Sequence, residues 1–224
     1  MKEENAEKNL EIGEVISTSE KFLEKYRTLI IVAVVAIIVI ILAIFGIKKW
    51  YSEPREQTAA EEIFAAENWL EQDNYELALN GNEQHLGFAD VADEYSSTKA
   101  GNRAKYCAGI CQLRLGKYEE ALDYLKSYKG KDTFTRVQAV ILQGDAELEL
   151  GNTASAISLY KKAADMSDDY MVAPTALQKA GMAHLIAGEN DKAIECFKKI
   201  KSTYPESVEW SEVDKYIAYA EASK

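Results

Sequence analysis

Two different spacings of apolar residues divide this chain. Residues 29–47, LIIVAVVAIIVIILAIFGI, carry no charged, amide or hydroxyl side chain. Beyond Pro54, Ala, Leu, Ile, Tyr and Phe recur three and four positions apart among Glu and Lys, with only two more prolines and no alternating run long enough for a sheet. The second pattern predicts amphipathic helices throughout. The first, as a helix, is about 28 Å long, close to the ~30 Å hydrocarbon core of a bilayer. Its Ile and Val would favour a strand in water, but a lone strand in lipid leaves its backbone unsatisfied, so a helix is expected. A buried core helix rarely lacks every polar residue over five turns. A signal peptide has a short basic start and an apolar region of about 7–15 residues. Here a longer polar stretch precedes the run, and Lys48, Lys49, Trp50 and Tyr51 close it with the snorkelling and aromatic side chains of an interfacial anchor. Residues 29–47 are therefore expected to be a retained transmembrane span in contact with the lipid bilayer.

Upstream, residues 1–18 are Lys- and Glu-rich and read as a disordered polar tail, with Ile12, Val15 and Ile16 able to form a weak amphipathic turn. Ser17 and Glu20 fit a capping box, with Ser19 as a rival cap, so one helix is expected over 19–51. Three cations before the span (Lys21, Lys25, Arg27) match three after it (Lys48, Lys49, Arg55), so charge alone leaves its orientation open.

The region past the span repeats itself. Gly109, Gly116, Ala121 and Leu125 recur as Gly144, Gly151, Ala156 and Tyr160, and again as Gly181, Gly188, Ala193 and Phe197. The offsets are the same each time. The first Gly lies within a helix, where it costs about 1 kcal/mol relative to Ala, so it is expected to permit close helix approach. The second ends that helix and supplies a turn with positive φ. The Ala is expected to keep the antiparallel pair close, and the large residue to fill the space between pairs. This pattern resembles the tetratricopeptide repeat, a helix–turn–helix unit of about 34 residues that stacks into a superhelix. The resemblance covers 98–205 as three units, with Pro205 in the terminal proline position. Residues 52–97 read as a degenerate first unit plus an insertion: Ala66, Asp73 in place of the second Gly, Tyr75 and Ala78, then an irregular stretch at 80–87 and a short helix near Phe88–Tyr95. In 206–224, Trp210, Val213, Ile217 and Ala220 predict a capping helix. The fold expected is thus all-α: a single N-terminal transmembrane helix followed by a superhelix of antiparallel helix pairs.

In such repeats the first helix of each pair lines a concave, peptide-binding face. The resemblance carries this face onto Arg103, Tyr106, Ile110, Leu113 and Arg114 in the first full unit. Gln138, Ile141, Asp145, Leu148 and Glu149 follow in the second, and Thr175, Gln178, Met182 and Leu185 in the third. Some of these are expected to pack between helices instead. Repeats that clamp a C-terminal carboxylate carry Lys, Asn and Arg at paired positions. Here those pairs are Tyr106/Ile110, Ile141/Asp145 and Gln178/Met182, so the clamp is missing and an apolar groove suited to an amphipathic helix or extended segment is expected.

Catalytic chemistry is not expected, nor is any cofactor or metal. His85 and His184 form no ligand spacing, and Cys107 and Cys111 have no second Cys or His pair to complete a zinc site, so these and Cys196 read as buried thiols. The stretch around Gly109–Tyr118 lacks the spacing and the Ser/Thr of a phosphate loop. Asp168 and Asp169 read as solvated residues at a helix end. The 26 Lys+Arg against 37 Asp+Glu give a net charge of −11, which argues against nucleic acid. Most of it belongs to the region beyond the span and reads as the solvated surface of a helical solenoid.

A short polar N-terminus, one membrane helix and a C-terminal repeat domain together resemble the bacterial ancillary SecYEG translocon subunit family, whose repeat domain is shared with cell-division coordinator proteins. That resemblance implies a scaffold in the bacterial inner membrane, with the repeats in the periplasm beside the Sec translocon and recruiting secretory clients or periplasmic chaperones. The alternative is a cytoplasm-facing assembly or regulatory module for an envelope-biogenesis or signalling complex.

Overall fold

The computed structural model describes residues 2–223, with side chains from Lys25 onward, and divides into two units, 1–54 and 55–224. In the first unit, helix α1 (Lys2–Ile47) begins inside the segment read as a disordered tail and runs through Ser17 and Ser19 rather than starting at them. The Glu, Lys, Ala and Leu of its first turns are good helix formers, and no proline interrupts them. The side chains of the proposed capping box, and those of Ile12, Val15 and Ile16, lie outside the described ones. Within α1 the apolar run is exposed along its length. Lys48–Ser52 then forms one π-helical turn, closed by the Glu53 N–H donating to the Lys48 carbonyl. Pro54 accounts for it: the proline has no N–H for the carbonyl four residues back, and the turn before it widens.

The second unit is a succession of helices: α2 (Glu53–Glu71, mostly within this unit), α3 (Tyr75–Asn80), α4 (Phe88–Glu94), α5 (Lys99–Arg114), α6 (Tyr118–Ser127), α7 (Thr133–Glu149), α8 (Thr153–Asp165), α9 (Ala173–Ile186), α10 (Asn190–Thr203) and α11 (Val213–Ala222), each from α3 onward packed on the next. Strands are absent among the described residues; Gly81 and Leu86 form a single bridge that closes the irregular loop before α4. Three helix pairs, α5/α6, α7/α8 and α9/α10, repeat one geometry.

The turn inside each pair is built identically. Gly116, Gly151 and Gly188 have φ of 74°, 81° and 72°. The N–H of each donates to the carbonyl three residues back, and the N–H of the next residue to the carbonyl five back, as in Lys117 to Gln112. This is the Schellman closure, which needs a left-handed residue and so favours glycine. Asp73 occupies the same place after α2, with φ 59° and the same two bonds to Leu70 and Trp69. The degenerate unit keeps the turn without the glycine.

The helical glycines hold the pairs together, and here the structure corrects one expectation. A Cβ on Gly109 would lie 2.6 Å from Leu125 Cγ, one on Gly144 2.5 Å from Tyr160 Cε1, and one on Gly181 2.5 Å from Phe197 Cε1. The large residue of each motif thus packs directly on the glycine of its own pair, rather than serving chiefly as filler between pairs. A glycine removes the side chain that would hold the helices apart, and a large buried residue occupies the vacated space. Ala121, Ala156 and Ala193 beside them are completely buried.

The buried residues form two clusters. One runs from Ala59 to Cys111 and the other from Val137 to Val213. At the end of the unit Val213 and Ala220 of α11 are buried against α10, Ile217 is half-buried, and Trp210 sits in a 3₁₀ turn (Glu209–Glu212) and stays exposed. Three of the four residues read as a cap therefore face inward.

Candidate functional site

Helices α5, α7 and α9 lie side by side as the first helices of their pairs, and their shared face forms an open groove of about 750 Å³. Equivalent positions line it in each unit. The residue after the helical glycine contributes Ile110, Asp145 and Met182; the residue five after it contributes Arg114, Glu149 and Ile186. Tyr106, Leu113, Gln138, Leu142, Leu148 and Lys179 complete the walls, and the second helices add Tyr118 and Tyr160.

Nine of the fourteen residues named from the sequence line this groove: Tyr106, Ile110, Leu113, Arg114, Gln138, Asp145, Leu148, Glu149 and Met182. Five do not. Arg103 turns to α2 and pairs with Glu67 at 2.8 Å. Ile141 is only 2% exposed and belongs to the core. The Thr175 hydroxyl lies within hydrogen-bond distance of Glu209 Oε1 and the Met171 carbonyl, both acceptors. Gln178 is half-buried and Leu185 packs against the later core cluster. Tyr106 stands three residues before its glycine as Ile141 and Gln178 do, and Leu113 and Leu148 stand four after theirs as Leu185 does, so the same repeat position lines the groove in one unit and not in another. Leu142, Lys179 and Ile186, one residue further on, take the groove instead. The recurrence of Arg114 and Glu149 five residues after their glycines was the available signal for Ile186. Tyr118 and Tyr160 had no such signal, because the second helix was assigned wholly to packing.

Two of the groove's four charged residues, Asp145 and Lys179, pair with each other. Lys179 Nζ lies 2.8 Å from Asp145 Oδ1, and the Tyr160 hydroxyl donates to the same oxygen at 2.7 Å. The ammonium also sits 5.9 Å from the Tyr160 ring centre. Burial, reinforced by the Asp145 charge, raises the Tyr160 phenol well above its usual range, so it stays a donor. Burial likewise pushes Tyr106 up to about 12. Tyr118 is raised chiefly by the neighbouring Glu149 charge. Such a surface offers apolar contact with a few oriented hydrogen-bond partners, the character of a site for a protein segment.

The remaining chemistry-bearing residues serve packing. Cys107, Cys111 and Cys196 are buried free thiols, and burial pushes Cys107 and Cys111 up to about 12. No cluster of metal-ligating side chains occurs among the described residues. His184 is buried and hydrogen-bonds Glu189 through Nδ1 at 2.6 Å, beside the Schellman bond between the same two backbones. Asp168 and Asp169 are exposed just beyond α8.

Comparison with known proteins agrees with this geometry. Residues 141–208 match the family model of the tetratricopeptide repeat. A crystal structure of MamA protein superposes with a TM-score of 0.55 at 20% sequence identity, covering 75% of this chain and 92% of that one. A second MamA crystal structure gives 0.52 at 20% identity, covering 70% and 93%. No curated protein sequence matches. At that identity the likeness is one of fold, and the fold it shows is an array of tetratricopeptide-type helix pairs.

Proposed function

We propose that the protein is a membrane-tethered, non-catalytic scaffold whose groove binds the apolar face of an amphipathic helix or an extended segment of another protein. The observation that carries this reading is the groove itself: three first helices present Tyr106, Ile110, Leu142, Leu148 and Met182 as one apolar floor, while Asp145, Lys179 and Tyr160 satisfy one another. A partner that buries this floor need not supply a charge to compensate Asp145 or Lys179.

The tether is residues 29–47. An exposed apolar helix of this length, none of it buried, supports reading it as a bilayer span. With the repeat unit following it, the arrangement supports a place at the bacterial inner membrane, the repeats in the periplasm beside the Sec translocon, where secretory clients or chaperones are the partners. The even split of cations around the span leaves its orientation open, so a second reading stands beside this one, in which the repeats face the cytoplasm and assemble an envelope-biogenesis or signalling complex.

Photocrosslinkers at Tyr106 and Leu148 test the groove. The proposal expects translocon, chaperone or nascent-chain adducts, and recovery of cytosolic proteins alone overturns the translocon assignment. A topology reporter fused after Lys224 separates the two readings, since they place that residue on opposite sides of the membrane.

A further inference from the structure

Two loops at the far end of the repeat unit, 166–172 between α8 and α9 and 204–212 before α11, are knitted into one surface. The Thr175 hydroxyl, with one proton to give, lies 2.5 Å from Glu209 Oε1 and 3.0 Å from the Met171 carbonyl, both acceptors. Tyr170 donates to the Thr203 carbonyl at 3.2 Å and packs edge-on against Tyr204 with ring centres 5.3 Å apart. The Trp210 indole N–H donates to the Lys201 carbonyl at 3.2 Å. Between these ties four large apolar side chains are left in solvent: Val208 at 86% exposure, Met171 at 70%, Tyr170 at 50% and Trp210 at 42%. The bonds fix the backbone and the two ring heads, so the patch is held out rather than loosely frayed. Packing of the repeats uses Val172, Tyr204, Val213 and Ala220 of this region, which are buried, and leaves these four side chains out.

The charged residues of the two loops themselves are all acidic. Residues 165–172 and 204–214 contain Asp165, Asp168, Asp169, Glu206, Glu209, Glu212 and Asp214 and not one Lys or Arg. Among the described residues two of these acids meet a cation: Lys199 reaches Asp165 at 3.9 Å and Lys201 reaches Asp214 at 2.5 Å. Asp168, Asp169, Glu206 and Glu212 remain exposed around the apolar centre without a cation. An apolar centre with an uncompensated acidic rim repels anionic lipid and a second copy of itself, and it attracts a segment that joins apolar residues to Lys or Arg.

We infer that this patch is a second docking surface, separate from the groove, for a cationic amphipathic segment of a partner protein. Its apolar residues seat against Met171, Val208 and Trp210, and its Lys or Arg side chains meet Asp168, Glu206 and Glu212.

The test uses the full-length chain in phosphatidylcholine nanodiscs and a synthetic Leu/Lys amphipathic helix, with a Leu/Glu helix of the same length as control. A photocrosslinker at Val208 should capture the Leu/Lys peptide and not the Leu/Glu one. Met171→Ser with Val208→Ser should weaken binding about tenfold or more. Asp168→Asn with Glu206→Gln should weaken it about fivefold at low salt and much less at high salt. Neutralising the separate acidic cluster Asp93, Glu120 and Asp123 should leave it within about twofold, which distinguishes the patch from net charge. All of these side chains are exposed, and a retained helical circular-dichroism signal confirms the fold. Equal binding of both peptides overturns the inference. So does loss of binding in the Asp93/Glu120/Asp123 variant to the same degree, capture only by a crosslinker at Met182 in the groove, capture only of a second copy, or binding of phosphatidylglycerol vesicles through the patch.

Discussion

The helix pair α2/α3 and the pair α7/α8 share a turn and little else. Both close with the same two backbone bonds around a left-handed residue. In α7/α8, Gly144 receives Tyr160 and the pair is locked by shape. In α2/α3 the corresponding residues are Ala66 and Asn82, and the second helix stops at Asn80 after six residues. What holds α2 instead is the burial of Ala59, Ile63 and Ala66 together with a set of polar clasps. Arg55 donates to the Glu94 carbonyl, Glu56 accepts the Lys99 and Ala100 N–H groups at 2.7 and 3.0 Å, Glu62 accepts the Leu86 N–H at 3.0 Å, and Glu67 pairs with Arg103. Phe88 and Val91 of the inserted α4 supply apolar bulk in the same cluster. A repeat can therefore keep its turn while exchanging a steric lock for charged clasps. The two should fail under different perturbations.

The largest separation comes from removing the lock. Tyr160→Ala should cost about 3–5 kcal/mol, because a fully buried ring is lost and Gly144 faces a cavity. Tyr160→Phe should cost only about 1 kcal/mol, since Asp145 keeps Lys179. Because stability in such arrays is close to a sum over neighbours, hydrogen exchange should report the loss over α7–α10 and leave α2–α4 protected. Uniform loss across both regions would remove the distinction. Next in size, Gly144→Ala should cost about 1–3 kcal/mol, the new methyl meeting Tyr160 Cε1 at 2.5 Å. Ala66 already carries that methyl in the first pair, and Ala66→Gly should not recover any tightness there.

These locks were legible in the sequence and the clasps were not, for a physical reason. Each glycine and its large partner recur at fixed offsets, so comparing the chain with itself exposes them. The partners of Glu56 and Glu62 lie 24 to 44 residues away, and they are backbone N–H groups that no side-chain pattern announces. The groove divides the same way. Ile110, Asp145 and Met182 follow their glycines directly and were found in all three units. Ile141, Gln178 and Leu185 stay out of the groove although Tyr106, Leu113 and Leu148 at the same repeat positions line it, so position in the motif does not by itself separate the two. Tyr118 and Tyr160 reach the groove from second helices, where position in the motif suggested packing only. The π turn before Pro54 follows from the missing proline N–H, but a transmembrane reading that ended at Tyr51 had no reason to look for it.

A smaller effect tests the clasps directly. Glu56→Ala leaves two N–H groups at the start of α5 without their carboxylate and should cost about 1 kcal/mol, comparable to losing a helix cap. The loss should appear as faster exchange in α2 and at Lys99–Gly101, and raising the salt should shrink the difference between variant and parent. No salt dependence would mean that α2 is held by Ile63 and Ala66 rather than by charge. At the shared turn the sign reverses. Asp73→Gly relieves a left-handed non-glycine but gives up the Tyr75 hydroxyl bond, for a net gain below about 1 kcal/mol. Gly151→Ala meets no atom within 4 Å and should lose about 1 kcal/mol from backbone strain alone.

The finest probe is pH. Burial raises the Glu67 carboxyl above its ordinary value, Arg103 only partly opposing it and Glu71 adding to it. Hydrogen bonds from Lys192 and His184 hold Glu189 below its ordinary value. A raised carboxyl binds its proton more readily in the folded state, so its stabilising effect is complete below the unfolded value near 4.5 and is lost as pH rises through the folded one. A lowered carboxyl does the opposite: Glu189 stabilises the turn of α9/α10 above that range and ceases to as pH falls through its folded value. Acidification from pH 6 to below 4 should therefore tighten exchange around Glu67 and loosen it around Gly188, the loosening setting in only below about 4.5. Glu67→Gln should flatten the first response and Glu189→Gln the second. If both regions instead loosened together in the parent, and neither variant changed either response, these carboxyls would not be the groups that couple the two regions to acid.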